Sequence, residues 1–410
     1  MWLLKKMLSR VVKRGDLTLI EANGQEHVFG TPDPEYGSVT ARFSEARVPN
    51  AIARNPRMGF GEAWINGQII MEKGDIADLL TLFRRNALWE GGNEALKPKG
   101  PFRRALGQIG GKLDRINWER KSKRNVAHHY DLSDRLYDLF LDADRQYSCA
   151  YYTDSANSLE QAQADKKAHI AAKLALEPGQ TVLDIGCGWG GMALYLNKVA
   201  GVSVLGVTLS EEQLKIAQAR AAAAGVADKV RFELIDYRNV TGQFDRIVSI
   251  GMFEHVGPRH YREFFTKTRS LLSEDGVMLL HTIGRMGVPG TTDPFTAKYI
   301  FPGGYNPSLS EILDASQPAR MICTDVEVLR LHYAHTLDEW YRRTNAAKDA
   351  IVDLYDARFF RLWQFYLAGA SSAFQYGGLV NFQVQFTRNR HALPITRDYI
   401  GIAEKRLGVL

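Results

Sequence analysis

The nine residues LDIGCGWGG, 183–191, carry the strongest chemical signal in the chain. Gly186, Gly188 and Gly190 let a backbone turn tightly after an apolar strand and approach a ligand closely. The helix-like run MALYLNKVA follows and offers the free amides of its first turn. Two ligands suit such a loop. Read from Gly186, the run spells G-x-G-x-x-G and ends at Gly191, as a dinucleotide loop does. That fingerprint also wants an acid about 20 residues on for the ribose. The second strand instead ends in Thr208-Leu209-Ser210. Asp184, just before the glycines, favours S-adenosylmethionine (SAM).

Other reactive side chains are sparse. Three cysteines, Cys149, Cys187 and Cys323, are too few for a disulfide scaffold or an all-cysteine metal site and suit a reducing compartment. His128 and His129 lack the ligand spacing of a zinc site, so no metal is expected. Cys187, inside the glycine loop, reads as packing.

The elements that must position these residues alternate. TVLDIG (181–186), VSVLGVTL (202–209), VRFELID (230–236), FDRIVSIGM (244–252) and GVMLLHTI (276–283) are apolar, β-branched runs separated by helix-length segments. That pattern predicts a parallel sheet covered on both faces. Residues 288–322 break the rhythm and read as an insertion. VEVLRL (326–331) and LVNFQVQFTR (379–388) could finish the sheet, the latter as an edge strand because Val380, Phe382, Val384 and Phe386 alternate with polar residues.

Upstream, residues 2–14 are amphipathic, with Leu3, Leu4, Met7, Leu8, Val11 and Val12 recurring at helical spacing and Lys5, Lys6, Arg10, Lys13 and Arg14 between them. They predict a helix docked on its own domain or lying on a membrane surface. Residues 17–73 read as short strands with hairpin turns at Asn23-Gly24 and Asn66-Gly67. Asp75 could cap the helix IADLLTLFRRNALW. The expected organisation is a small mixed α/β domain (1–95), a basic linker (96–124) and a catalytic domain (125–410).

Composition narrows the class. The chain has 410 residues, 45% hydrophobic and 24% charged, which excludes wholesale disorder, collagen and coiled coil. The uncharged run between Arg361 and Arg388 could span a bilayer by length, but its glutamines and Gly377-Gly378 argue for helix, turn and strand. No signal peptide is apparent, so a soluble cytoplasmic protein is expected. The net charge is +6, yet residues 97–124 hold ten Lys/Arg against Asp114 and Glu119, a local +8. Such a cluster points to a polyanion. It lacks the interleaved aromatics of a nucleic-acid platform, and phosphate headgroups explain it equally well.

Several strings together carry a family resemblance: NVAHHYDLSD (125–134), QYSCAYY (146–152), LDIGCGWGG, GVTLSEEQ (206–213), FDRIVSIGMFEHVG (244–257), LLHTIG (279–284) and KYIFPGG (298–304). The chain resembles the cyclopropane-fatty-acyl-phospholipid synthase family, in dense blocks over about 125–390. The resemblance implies a Rossmann-like SAM-dependent methyltransferase domain with a helical insertion, preceded by a small N-terminal α/β domain. It implies SAM contacts from Tyr147 and Ser148, from Gly186, Gly188 and Gly190, from Thr208 and Gln213 toward the ribose, and from Asp236 and Tyr237 around the adenine.

The implied reaction adds a methylene group to a cis double bond of an acyl chain in a membrane phospholipid. Methylating an alkene makes a carbocation, which needs a dry pocket and a nearby base. In the family that base is a bound bicarbonate, held by residues that map to Cys149, Glu254, His281, the amide of Ile283, and Tyr333. A relative that stops at a methyl branch is the alternative. The resemblance also implies a homodimer working at the inner face of the membrane, with no nucleic-acid partner. One departure matters. Many members have a cysteine where this chain has Ala370, so no covalent cysteine can act there.

Overall fold

The computed structural model describes residues 1–92 and 133–408. The basic segment 97–124, His128 and His129 lie outside the described residues. The described chain forms two compact units.

The first unit is built on a four-stranded sheet. Its strands are β1 (Asp16–Ile20), β2 (Glu26–Phe29), β3 (Ser38–Phe43) and β4 (Ile69–Lys73), in the order β2-β1-β3-β4. Asn23-Gly24 makes the expected hairpin, with Gly24 at φ +87°. Asn66-Gly67 does not. It ends a helix, Pro56–Ile65, because Pro56 starts that helix and a second one, Val48–Arg54, precedes it. The amphipathic segment forms the helix Trp2–Val11 and buries Leu4 and Leu8 in the core of its own unit. Asp75 caps the helix Ile76–Arg85 in a reciprocal capping box with Asp78.

This unit is discontinuous, where a contiguous 1–95 domain was expected. It also includes Thr292–Pro302 and Ala334–Leu379. Phe295, Leu362 and Ala368 join its core. Trp64 Nε1 donates to the Arg361 carbonyl at 3.0 Å, and the Tyr341 hydroxyl donates to Asp75 at 2.9 Å. The physical reason is size: fewer than 100 residues bury a small core, and the long apolar helix Ala357–Gln375 enlarges it.

The second unit holds the larger sheet. Its strands are β5 (Thr181–Ile185), β6 (Ser203–Thr208), β7 (Val230–Leu234), β8 (Phe244–Ile250), β9 (Leu272–Arg285), β10 (Ile322–Leu329) and β11 (Leu379–Thr387). Their order is β10-β11-β9-β8-β5-β6-β7. β7, β6, β5, β8 and β9 run parallel, and β10 is antiparallel to β11. The chain leaves β5 to one side and later returns to its other side with β8, so a topological switch point lies at β5. The fold is the Rossmann-like one expected.

β11 corrects the edge-strand expectation. It lies between β10 and β9, and its polar residues Asn381, Gln383 and Gln385 are buried with its apolar ones. The alternation is real, but each polar side chain serves an internal hydrogen bond rather than water. No helix among the described residues is long and apolar enough to cross a membrane.

Candidate active site

A cleft opens at the carboxyl ends of β5, β6 and β8, where open sheets bind ligands. β5 delivers Asp184 into it, and the glycine loop turns away below. Gly186 has φ +82°, and a Cβ there would lie 2.9 Å from the Met252 side chain, so only glycine fits. Gly188 also lines the cleft. Gly190 does not: it starts the helix Gly191–Ala200 and a Cβ on it would meet the Phe232 ring at 2.6 Å. Its place is in packing behind the loop. Cys187 is buried against the same wall.

Thr208, Gln213, Asp236 and Tyr237 line the cleft beside the loop. Thr208 Oγ1 donates to Gln213 Oε1 at 3.2 Å, while Ser210 caps the helix that carries Gln213. Asp236 is committed to Arg238, whose guanidinium it takes in two hydrogen bonds of 2.9 and 2.7 Å. Tyr147 and Ser148 lie on the loop 142–148, across the glycines. Asp144 anchors that loop through ion pairs with Lys167 and Arg220. The loop presses on Gly191, where a Cβ would lie 2.4 Å from Gln146 Nε2. This accounts for the second glycine of WGG. Arg145 takes a left-handed backbone (φ 53°), held by a two-point bond from its guanidinium to Asp138.

The five residues expected around the base lie apart from the cleft lining. None of them borders the cleft itself, although Ser148, Met252 and His255 beside them do. Glu254 is 6% exposed; its Oε1 accepts the Ile283 amide at 2.6 Å and its Oε2 has no partner. Burial pushes this carboxyl up to about 7. His281 ends the parallel run of β9 opposite Ile250, fully buried. Its ring nitrogens lie 3.3 Å from the Asn381 amide and 3.2 Å from the Gln383 amide. A neutral imidazole accepts at one nitrogen only, so one of these amides presents its oxygen. Burial, aided by nearby cations, pushes His281 down to about 3, so it is neutral. The Cys149 thiol is buried, contacts the Ala150 carbonyl at 3.3 Å, and is pushed up by burial, so it is also neutral. The buried Tyr333 follows His332, whose Nδ1 accepts the Tyr152 amide at 2.9 Å and so ties its segment to that of Cys149.

Sequence reasoning missed the residues that hold these in place. Gln163, Lys166, His169 and Lys173 share the buried face of the helix Leu159–Lys173. A signal existed: polar residues occupy positions at helical spacing that should be apolar in a helix rich in alanine. Among the described residues, no group of His, Cys, Asp and Glu is placed to hold a metal ion.

The family model for mycolic acid cyclopropane synthetase matches residues 118–384. The chain is 40% identical over 337 residues to the cyclopropane-fatty-acyl-phospholipid synthase of Escherichia coli, covering 82% of this chain and 85% of that one. It is 32% identical over 403 residues to the tuberculostearic acid methyltransferase of Mycobacterium tuberculosis, covering 92% and 89%. Among solved structures, the mycolic acid cyclopropane synthase CmaA1 complexed with SAH and CTAB superposes with a TM-score of 0.61 and 36% identity, over 64% of this chain and 97% of that one. With the glycine-loop cleft at the sheet's switch point, these likenesses establish that the chain belongs to the mycolic acid cyclopropane synthetase family of SAM-dependent methyltransferases.

Proposed function

We propose that this enzyme transfers a methylene group from SAM to the cis double bond of an unsaturated acyl chain in a membrane phospholipid, forming a cyclopropane ring. In that reading the cleft residues Tyr147, Ser148, Gly186, Gly188, Thr208, Gln213, Asp236 and Tyr237 bind SAM, with Gly190 shaping the loop behind them. Glu254 carries the reading. A buried carboxyl with one unpartnered oxygen and a pKa near 7 can accept a proton and, when ionised, stabilise a nearby carbocation.

The donor set fits a bicarbonate. The free Glu254 Oε2 is an acceptor for its hydroxyl, and the neutral Cys149 and His281 add no competing charge. Bound there, bicarbonate supplies the base for the proton leaving the new methyl group. The Ile283 amide, now bonded to Glu254, would exchange that partner for the anion. Asn381 and Gln383 keep the His281 ring in one orientation.

The test is mass spectrometry of phospholipids from cells expressing the chain. A gain of one CH₂ per acyl chain with loss of the alkene is expected; unchanged lipids would remove the proposal. Similarity to the tuberculostearic acid methyltransferase favours a second reading, a methyl-branched product. Product acyl chains analysed for a ring or a branch separate the two.

The substrate double bond lies within the bilayer, so the enzyme must dock on it from the cytoplasmic side. The helix Trp2–Val11 buries Leu4 and Leu8 but leaves Trp2 and Leu3 exposed beside Lys5, Lys6 and Arg10. The basic segment adds charge. Each cation near an anionic surface contributes about 1 kcal/mol, screened by salt. Neutralising Arg120, Lys121, Lys123 and Arg124 should therefore weaken co-sedimentation with anionic vesicles at low salt and leave SAM affinity unchanged. Equal binding of both proteins at low and high salt would sink the docking model. A homodimer completes this reading, and sedimentation velocity tests it.

A further inference from the structure

Two residues of the SAM cleft, Gln146 and Ser148, are gripped from beneath by one helix face. Lys166 is wholly buried, and its Nζ donates to Ser148 Oγ and to Gln146 Oε1, each at 2.8 Å. One turn earlier, Gln163 Nε2 donates to the carbonyls of Gln146 (3.1 Å) and Ser148 (3.0 Å). The Ala162 carbonyl accepts the Tyr151 amide at 3.0 Å. These bonds fix the backbone here without Lys166. Something further is needed to account for a buried ammonium.

A buried charge is costly unless paired. Lys166 forms no ion pair among the described residues. Of the acids near it, Asp144 pairs with Lys167 and Arg220, while Asp142 accepts the amides of Asp144 and Gln146 and offsets part of the Lys166 charge without bonding to it. The remaining positive charge reaches the cleft through the bonds to Ser148 and Gln146. Because Ser148 Oγ already accepts from Lys166, its own hydrogen is left for a ligand acceptor. The same cleft presents the reverse polarity at Asp184, 2% exposed, whose Oδ2 has no partner. A donor backed by a cation and an unpartnered carboxylate oxygen suit the two ends of an amino-acid zwitterion. Of the parts of SAM, only the methionine moiety carries one.

We infer that Lys166 is a positioning residue for SAM, fixing Ser148 as a hydrogen-bond donor and lending it positive charge for the α-carboxylate of the methionine moiety. This rests on reading the cleft as the SAM site. Lys166 touches neither the adenine side nor the reacting methyl group in this scheme.

Calorimetric titration with two ligands tests it. S-adenosylhomocysteine carries the amino-acid moiety, and 5′-methylthioadenosine lacks it. Lys166→Met should weaken S-adenosylhomocysteine binding about 10–100-fold, the range for a hydrogen bond to a charged group, and leave methylthioadenosine within about twofold of wild type. Ser148→Ala should show the same selectivity, and the double variant should be little worse than Lys166→Met alone. Equal weakening of both ligands would assign Lys166 a merely structural role and overturn the inference, as would no weakening of either. If Lys166→Met does not fold, Ser148→Ala with the same ligands decides by the same criterion. Wild-type protein that binds neither ligand would overturn the cleft assignment itself, and the inference with it.

Discussion

Glu254→Gln should lower turnover by about 10²–10⁴-fold, the range for losing a positioned proton acceptor, while SAM affinity stays near wild type. Glu254 does not line the glycine-loop cleft proposed to bind SAM, so binding has no reason to change. Chemistry does, because glutamine keeps the shape and the bond to the Ile283 amide but can neither accept a proton nor carry charge. The pH profile gives a second readout. Burial raises this carboxyl to about 7. In the proposed mechanism its ionised form is the active one, so wild-type turnover should rise as pH increases through about 7. The Gln variant should lose that rising limb along with its rate. Near-normal turnover in Glu254→Gln, or a limb that persists in it, would remove Glu254 from the proton path.

Lys173→Met should destabilise the folded protein by about 2–4 kcal/mol, somewhat below the usual cost of breaking a buried pair because one partner keeps some water contact. Lys173 is buried on the last turn of the helix Leu159–Lys173 and pairs with Glu327 on β10, with Asp325 at 3.6 Å. His169, on the same helix, bonds Glu327 at 2.7 Å and also bonds Glu404 of the C-terminal helix Asp398–Leu407. Burial opposes ionisation of Glu327, but the His169 hydrogen bond and the Lys173 charge outweigh it and hold the carboxyl down at about 2. Removing Lys173 leaves that carboxylate largely desolvated with half its support. A thermal melt should shift down by roughly 5–15 °C, at about 2–4 °C per kcal/mol for a unit of this size. Glu327→Gln added to Lys173→Met should recover part of the loss. A shift below about 2 °C would show that the cluster contributes little.

Tyr151 gives this cluster a bearing on the site. Its ring stacks on His169 at 4.1 Å and on His332 at 4.9 Å. Tyr151 follows Cys149 by two residues, and His332 precedes Tyr333. The network that carries stability on β10 and the C-terminal helix therefore also sets the segments of two expected base-holding residues.

The sequence by itself determined the parallel sheet, the glycine loop and the family, because each is written in short contiguous strings. Apolar β-branched runs specify strands locally, and Gly186 at positive φ is a local backbone demand. The capping of Ile76–Arg85 by Asp75 is equally local. Where the outcome depended on distant partners, only the tertiary structure decided. Asn66-Gly67 looks like a hairpin until the helix from Pro56 is seen to end there. β11 looks like an edge strand until β10 is found on its far side, which turns Asn381 and Gln383 inward to His281. The first unit looks contiguous until helices from residues 292–302 and 334–379 supply its core. Lys166 and Lys173 stand at helical spacing in an alanine-rich segment, but only the loop 142–148 and β10 supply their buried partners. In each case burial is the reason: whether a polar side chain meets water or a protein partner is set by what folds over it, and that partner lies 20 to more than 200 residues away in the chain.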